Sequence, residues 1–349
     1  MIRSRFAVAA AVAAAVILSA PFAQELFTRV SARWPGQART LGIAAGAVPA
    51  GAALVGAVWR IRDRRLLRYS VAALGFGVAA AYIRITGLTF TESFHFAEYG
   101  VLAWLFYRAW RPAPGARGGI EGRPLDGAAL VVLPLVAGTI VGSLDEWFQW
   151  FIPIRAGEAR DVLLNGVASA CGVLVAAALD PPSPGGFDER ARAALIGWSS
   201  AALVVFGLFF YTVHVGYDVS DPEIGSFRSR YTAARLERAA RERAERWRTD
   251  PPLVQRRLWR EDQYLTEALW HVRQRNQAWD GGELAAAWRE NRILEKFYAP
   301  VLATPTYEDA RGHRWPTAQH DEAASTGGAA SRPYASDAYA YPLYPWALF

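Results

Sequence analysis

The run LVVLPLVAGTIVGSLDEWFQW, residues 130–150, goes from Leu130 to Leu144 without a charge and then meets Asp145, Glu146 and Gln149. A helix needs about 20 apolar residues to cross the hydrocarbon core of a bilayer. Charges set against such a span are costly and are retained mainly where they pair or work. The same pattern extends in both directions. Apolar segments are expected at about 6–23, 41–59, 69–88, 94–110, 127–151, 162–179 and 194–216. The first could be read as a secretory signal, since Arg3 and Arg5 precede an Ala/Val run, but Pro21-Phe22-Ala23 is a poor cleavage site and retention as a span is expected. After Gly216 the composition changes: residues 217–349 carry 19 basic and 19 acidic side chains. The formal charge of +6 therefore belongs to the apolar half, where arginine marks loop orientation, and is no sign of nucleic-acid binding. The lone Cys171 excludes an intrachain disulfide.

Arginines concentrate at the N-terminus, at residues 60–68, at 108–123 and at 190–192. By the positive-inside rule these lie in the cytoplasm, with Arg29, Arg33 and Arg39 a mild exception. Seven crossings then carry residues 217–349 to the periplasmic or extracellular side of a bacterial cytoplasmic membrane. The expected fold class is all-α: a polytopic bundle of about seven spans over 1–216, an extracytoplasmic helical domain over 217–299, and an extended Pro/Tyr-rich docking tail over 300–349.

On this topology three polar strings meet at the outer face. They are His95-Phe-Ala-Glu98-Tyr99, Asp145-Glu146-Trp-Phe-Gln149, and Pro153-Ile-Arg155 continuing to Asp161-Val-Leu-Leu-Asn165. His95/Glu98 are i,i+3, while Asp145/Gln149 and Asp161/Asn165 are i,i+4, so each pair shares a helix face. Arg84 closes the third span at the same face. The order H-x-x-E-Y, D-E-x-x-Q, P-x-R, D-x-x-x-N resembles the VanZ-like family over about residues 1–180. The resemblance implies a helical membrane domain and an activity proposed to concern lipid head groups. The last span and the long outer domain lie outside that family's common core.

The residues carry a chemistry of their own. Arg84 or Arg155 can hold a phosphate by paired hydrogen bonds, with Tyr99, Gln149 and Asn165 completing a lipid or phosphate site. His95, oriented by Glu98, can act as general base or nucleophile, and Asp145, Glu146 and Asp161 can share a proton. These carboxylates can also hold a divalent cation, although no cofactor is called for by any spacing. A bland reading competes: intramembrane polar groups often form a satisfied hub that fixes helix packing. Gly46, Gly51, Gly56, Gly75 and Gly77 read as sites of close helix approach rather than phosphate contacts.

Beyond the spans, Asp221-Pro222-Glu223 reads as a helix start, with a helix to about Trp247 laced by Glu237/Arg241 and Arg238/Glu242 pairs. Asp250-Pro251 opens a second, bearing Leu258, Leu265, Leu269 and Val272, and a third covers about 283–299. The six prolines of residues 300–349 are expected to preclude regular structure, and His313 and His320 to lie at the surface. The aromatic end, with Tyr339, Tyr341, Tyr344, Trp346 and Phe349, reads as a partner-docking segment. Two functions follow. One is a non-catalytic membrane subunit that docks the outer domain and tail onto a larger respiratory, photosynthetic or envelope assembly. The other is an envelope enzyme, a hydrolase or transferase of lipid head groups, working through His95, Glu98, Asp145, Glu146 and Asp161. The appendage favours the first and the motif the second.

Overall fold

Each of the seven apolar stretches is helical in the computed structural model, which describes residues 2–111, 127–152, 155–182, 188–252, 262–306, 308–327, 333–339 and 343–348. They are α1 (Ile2–Arg33), α2 (Pro35–Arg60), α3 (Arg65–Thr86), α4 (Phe94–Trp110), α5 (Ala129–Trp150), α6 (Ala159–Leu179) and α7 (Glu189–His214). Among the described residues, five helical stretches are long and apolar enough to cross a membrane: Ser4–Phe22 of α1, α3, α5, α6 and α7. The expected span at 94–110 falls short of that measure, and most of 41–49 lies outside the residues whose side chains are described. α4 has 17 residues, and Ala50–Arg60 is the apolar stretch of the 26-residue α2 among the described residues. Pro153, Arg117 and Arg123 lie outside the described residues.

The chain divides into two compact units, Met1–Gln149 with Gly157–Phe209, and Trp150–Ala156 with Phe210–Phe349. In the first, α6 is the axis: it packs on α3, α4 and α5. Tyr99, Leu102 and Phe106 of α4 share a core with Ala137 and Val141 of α5, Ala168 of α6, and Ala9 and Ala13 of α1. With lipid tails as apolar as leucine, helices associate by close contact at small residues. Of the glycines expected to allow this in α2 and α3, Gly75 does so, with its Cβ position 3.0 Å from the Cys171 carbonyl oxygen. Gly51 and Gly77 face open space. The tight approaches lie elsewhere. A Cβ on Gly172 would stand 2.4 Å from the Gly100 carbonyl oxygen, and one on Gly142 would stand 2.8 Å from Cβ of Asn165.

The bundle's two ends differ in charge. The C-terminal carbonyls of α6 are met by cations, as the helix dipole favours. Arg68 donates to the carbonyls of Ala178 and Leu179, each at 2.8 Å, and Arg111 pairs with Asp180 at 2.8 Å. Arg5 reaches the carbonyls of Arg108 and Arg111 at the same end. Arginines that read as orientation markers thus also fasten helix ends.

The second unit corrects the all-α expectation. β1 (Val215–Asp221) and β2 (Gly225–Ser229) form an antiparallel hairpin, and β3 (Tyr344–Pro345) adds parallel to β1, giving the order β2-β1-β3. Asp221-Pro222-Glu223 is therefore a turn and not a helix start. The Asp221 carboxylate accepts the N–H groups of Glu223 and Ile224, both at 3.1 Å, and Gly225 takes φ 118°, which L residues avoid. Asp-Pro serves a turn as well as a helix cap. The buried residues Val219 and Phe227, opposite one another, settle the choice in favour of strands.

The helices of this unit are α8 (Ala233–Arg246), α9 (Gln263–Asp280), α10 (Leu284–Phe297), α11 (Ala299–Ala303) and α12 (Thr317–Gly327). Leu236, Leu265, Leu269, Val272, Ile293, Leu294 and Phe297 form one core with the hairpin. Asp262 caps α9 by accepting the Tyr264 N–H at 3.0 Å, and its carboxylate pairs with Arg243 at 2.8 Å. Leu258, expected on the same stripe, lies outside the described residues. Prolines do not exclude regular structure after residue 300: α11, α12, β3 and a 3-10 turn at Trp346–Leu348 are present.

Candidate functional site

Three contacts tie the polar strings of the first unit together at the end of the bundle opposite Arg68 and Arg111. The Tyr99 hydroxyl donates to Oδ2 of Asp145 at 3.0 Å, joining α4 to the last turn of α5. The backbone N–H of Glu158 donates to Oε2 of Glu146 at 3.1 Å, joining α5 to the start of α6. Arg160 pairs with Glu92 at 2.6 Å, joining α6 to the turn before α4.

Asp145 and Glu146 are almost fully buried at a helix C-terminus, where the dipole opposes negative charge. Gln149, also buried, donates one amide to both carboxylates, at 3.2 Å and 3.0 Å. The i,i+4 pairing of Asp145 with Gln149 is thus a direct hydrogen bond. His95 is half-buried and stacks on Tyr99 with centroids 6.0 Å apart and an interplanar angle of 18°, while Glu98 is exposed. Asp161 is half-buried, with Oδ1 3.5 Å from Nε of Arg160. Asn165, its i,i+4 partner, is fully buried against Gly142. Its amide atoms make no hydrogen bond among the described residues.

The two expected anion-binding arginines fall in different units. Arg84 is exposed on the last turn of α3 and makes no ion pair among the described residues. Arg155 belongs to the segment Trp150–Ala156 of the other compact unit. Arg160 and Glu92 supply an ion pair at this bundle end that was not among the expected contacts. Thr89 and Glu92 themselves carry a legible local signal, the T-x-x-E of a capping box. The Thr89 N–H donates to Glu92 Oε2 at 2.6 Å, and the Glu92 N–H donates to Thr89 Oγ1 at 3.3 Å. Burial opposes the Glu92 charge, but the Thr89 hydrogen bonds and Arg160 together hold its pKa below the usual carboxylate range. Burial and then the neighbouring Asp161 charge push Glu158 up. No three His, Cys, Asp or Glu groups gather as a metal site would require among the described residues.

The tail aromatics are engaged within their own unit. Tyr339 stacks edge-on against Trp270 at 4.8 Å, Tyr344 stacks on Phe210 at 5.6 Å, and Trp346 meets Tyr211 at 5.4 Å. Trp346 stays 46% exposed and Leu348 69% exposed. Tyr341 and Phe349 lie outside the described residues. His313, expected at the surface, is buried: its Nε2 lies 2.7 Å from the Thr306 hydroxyl, and its backbone N–H donates to the Leu302 carbonyl at 3.0 Å.

Sequence reasoning also missed a buried polar network. Glu267 is fully buried and accepts from the Ser229 hydroxyl at 2.6 Å, the Arg230 N–H at 2.7 Å and the Tyr298 hydroxyl at 2.9 Å. His271 Nδ1 lies 2.7 Å from Glu290, whose second oxygen accepts from Tyr334 and Ser336. Both carboxylates lie within helices and give no motif by spacing. Set against known proteins, the chain matches no family model, no curated protein and no solved structure.

Proposed function

We propose that this chain is an integral subunit of a bacterial cytoplasmic membrane assembly, of respiratory, photosynthetic or envelope-building type. In this reading seven helices cross the bilayer with the N-terminus inside, and the second unit stands on the outer side. The supporting observation is α7, of whose apolar stretch 6% is buried within the chain. Ile196, Leu203, Val204 and Leu208 are exposed along it, a surface that requires lipid or another chain's helices. Trp346 and Leu348 offer a second apolar contact on the outer unit. The charge asymmetry of the bundle agrees with the orientation, since Arg5, Arg68 and Arg111 share one end. Gentle detergent extraction followed by native mass measurement tests this. Partner polypeptides should co-migrate with the chain, and a lone chain after the mildest extraction would end the proposal.

The second reading is a site for lipid head groups, as the VanZ-like resemblance implies, with an enzyme of that class as its stronger form. It is favoured by the tying of His95, Tyr99, Asp145, Glu146, Asp161 and Asn165 to one bundle end. The purified full-length chain should then alter labelled phospholipid or lipid-linked precursor without partners, and His95→Ala should abolish this.

A further inference from the structure

Arg275, on α9, is 2% exposed and has no carboxylate partner within ion-pair distance among the described residues. A guanidinium offers five N–H donors. Three are used: toward Asn276 Oδ1 at 3.1 Å, Asn291 Oδ1 at 3.1 Å and the His313 carbonyl at 3.0 Å. Two remain. Burial drags the Arg275 pKa down to about 10, with the Glu295 charge opposing the fall only in part. Removing such a charge from water is costly unless an opposite charge compensates it.

Arg275 lines a cleft of about 310 Å³ whose walls include Trp279, Trp315, Arg314 and Gln319. That volume lies within the range of small-molecule sites. A second cleft of about 410 Å³ adjoins it and shares Arg314 and Trp315. Arg314 is exposed and makes no hydrogen bond or ion pair among the described residues. The two indoles meet edge to face at 5.5 Å, and Arg275 lies 4.9 Å from the Trp315 ring centroid. Three acids share the two linings, of which Glu295 pairs with Arg292 at 2.7 Å. Asp309 is occupied by the Arg311 N–H at 2.8 Å, and Asp280 is exposed.

We propose that this groove binds an acidic sugar. The carboxylate takes the free donors of Arg275 and Arg314, the pyranose face lies on indole, and ring hydroxyls donate to Asp280 and Gln319. A bare anion leaves the indoles and the acid unused, and a neutral sugar leaves the two guanidiniums uncompensated. The site is independent of the polar cluster in the membrane unit.

Calorimetric titration of the full-length chain in detergent tests it, with glucuronate, glucose and inorganic phosphate as probes. Glucuronate should saturate one site, glucose and phosphate should bind more weakly, and Arg314→Gln should weaken glucuronate about tenfold or more. Arg314 has no partner to lose, so its replacement should leave the thermal midpoint unchanged. The proposal is overturned if glucuronate does not bind, if glucose or phosphate binds as tightly, or if Arg314→Gln leaves the glucuronate constant unaltered.

Discussion

The hydroxyl of Tyr99 donates to the carboxylate of Asp145 across 3.0 Å, with both side chains buried. This bond fastens the start of α4 to the end of α5 and holds a carboxylate where the helix dipole disfavours one. Tyr99→Phe removes the donor and leaves the carboxylate short of a partner. We expect a loss of about 1–3 kcal/mol in stability, read as a lowered thermal midpoint in detergent.

Close approach between α4 and α6 makes a second prediction. Gly172→Ala places a methyl against the Gly100 carbonyl, which is backbone and has no rotamer to yield. It should cost about 1–3 kcal/mol or prevent accumulation of folded protein. Gly77→Ala meets nothing within 4 Å and should be neutral or gain about 0.5–1 kcal/mol through helix propensity. Equal effects in thermal unfolding would contradict the packing.

His313 makes the second unit sensitive to acid. Burial holds its pKa below the ordinary 6.5, with Arg275 adding to the effect and Glu308 and Asp309 opposing it. Its folded-state pKa is depressed, so the unfolded chain protonates more readily. The stabilisation is full above 6.5 and is lost as pH falls through the folded value. His313→Gln should flatten the fall in thermal midpoint between about pH 7 and about pH 5.

Glu290 fastens the described end of the chain. It pairs with His271 and accepts from Tyr334 and Ser336. Glu290→Ala removes the acceptor of these hydrogen bonds and should cost about 1–3 kcal/mol for each buried donor left unsatisfied. Limited proteolysis should then cut near residues 333–339 sooner than in the parent chain.

The seven apolar runs were legible because hydrophobic composition alone specifies such helices, and the polar strings because charges are scarce among them. The end of α9 followed from Asp280-Gly281-Gly282, which also separates it from α10. The hairpin was not legible: Asp221-Pro222 suits turn and cap alike, and only the burial of Val219 and Phe227 against the helices decides between them. The fold of the described residues after 300 was hidden for a related reason. Its stability comes from distant partners, such as Glu290 for Tyr334 and Phe210 for Tyr344, which no local pattern announces. Within the candidate site, spacing identified Asp145 with Gln149 but could not find the Arg160–Glu92 pair, 68 residues apart in sequence.

Labelling with a membrane-impermeant maleimide tests most directly whether the polar cluster and the second unit share the outer side. In a Cys171→Ala background, single cysteines at Arg62, Thr91 and Ser325 all fall on exposed positions. In right-side-out vesicles Thr91→Cys and Ser325→Cys should label and Arg62→Cys should not, with the pattern reversed in inverted vesicles. Labelling of Ser325→Cys from the same side as Arg62→Cys, or of Thr91→Cys and Ser325→Cys from opposite sides, would contradict the account.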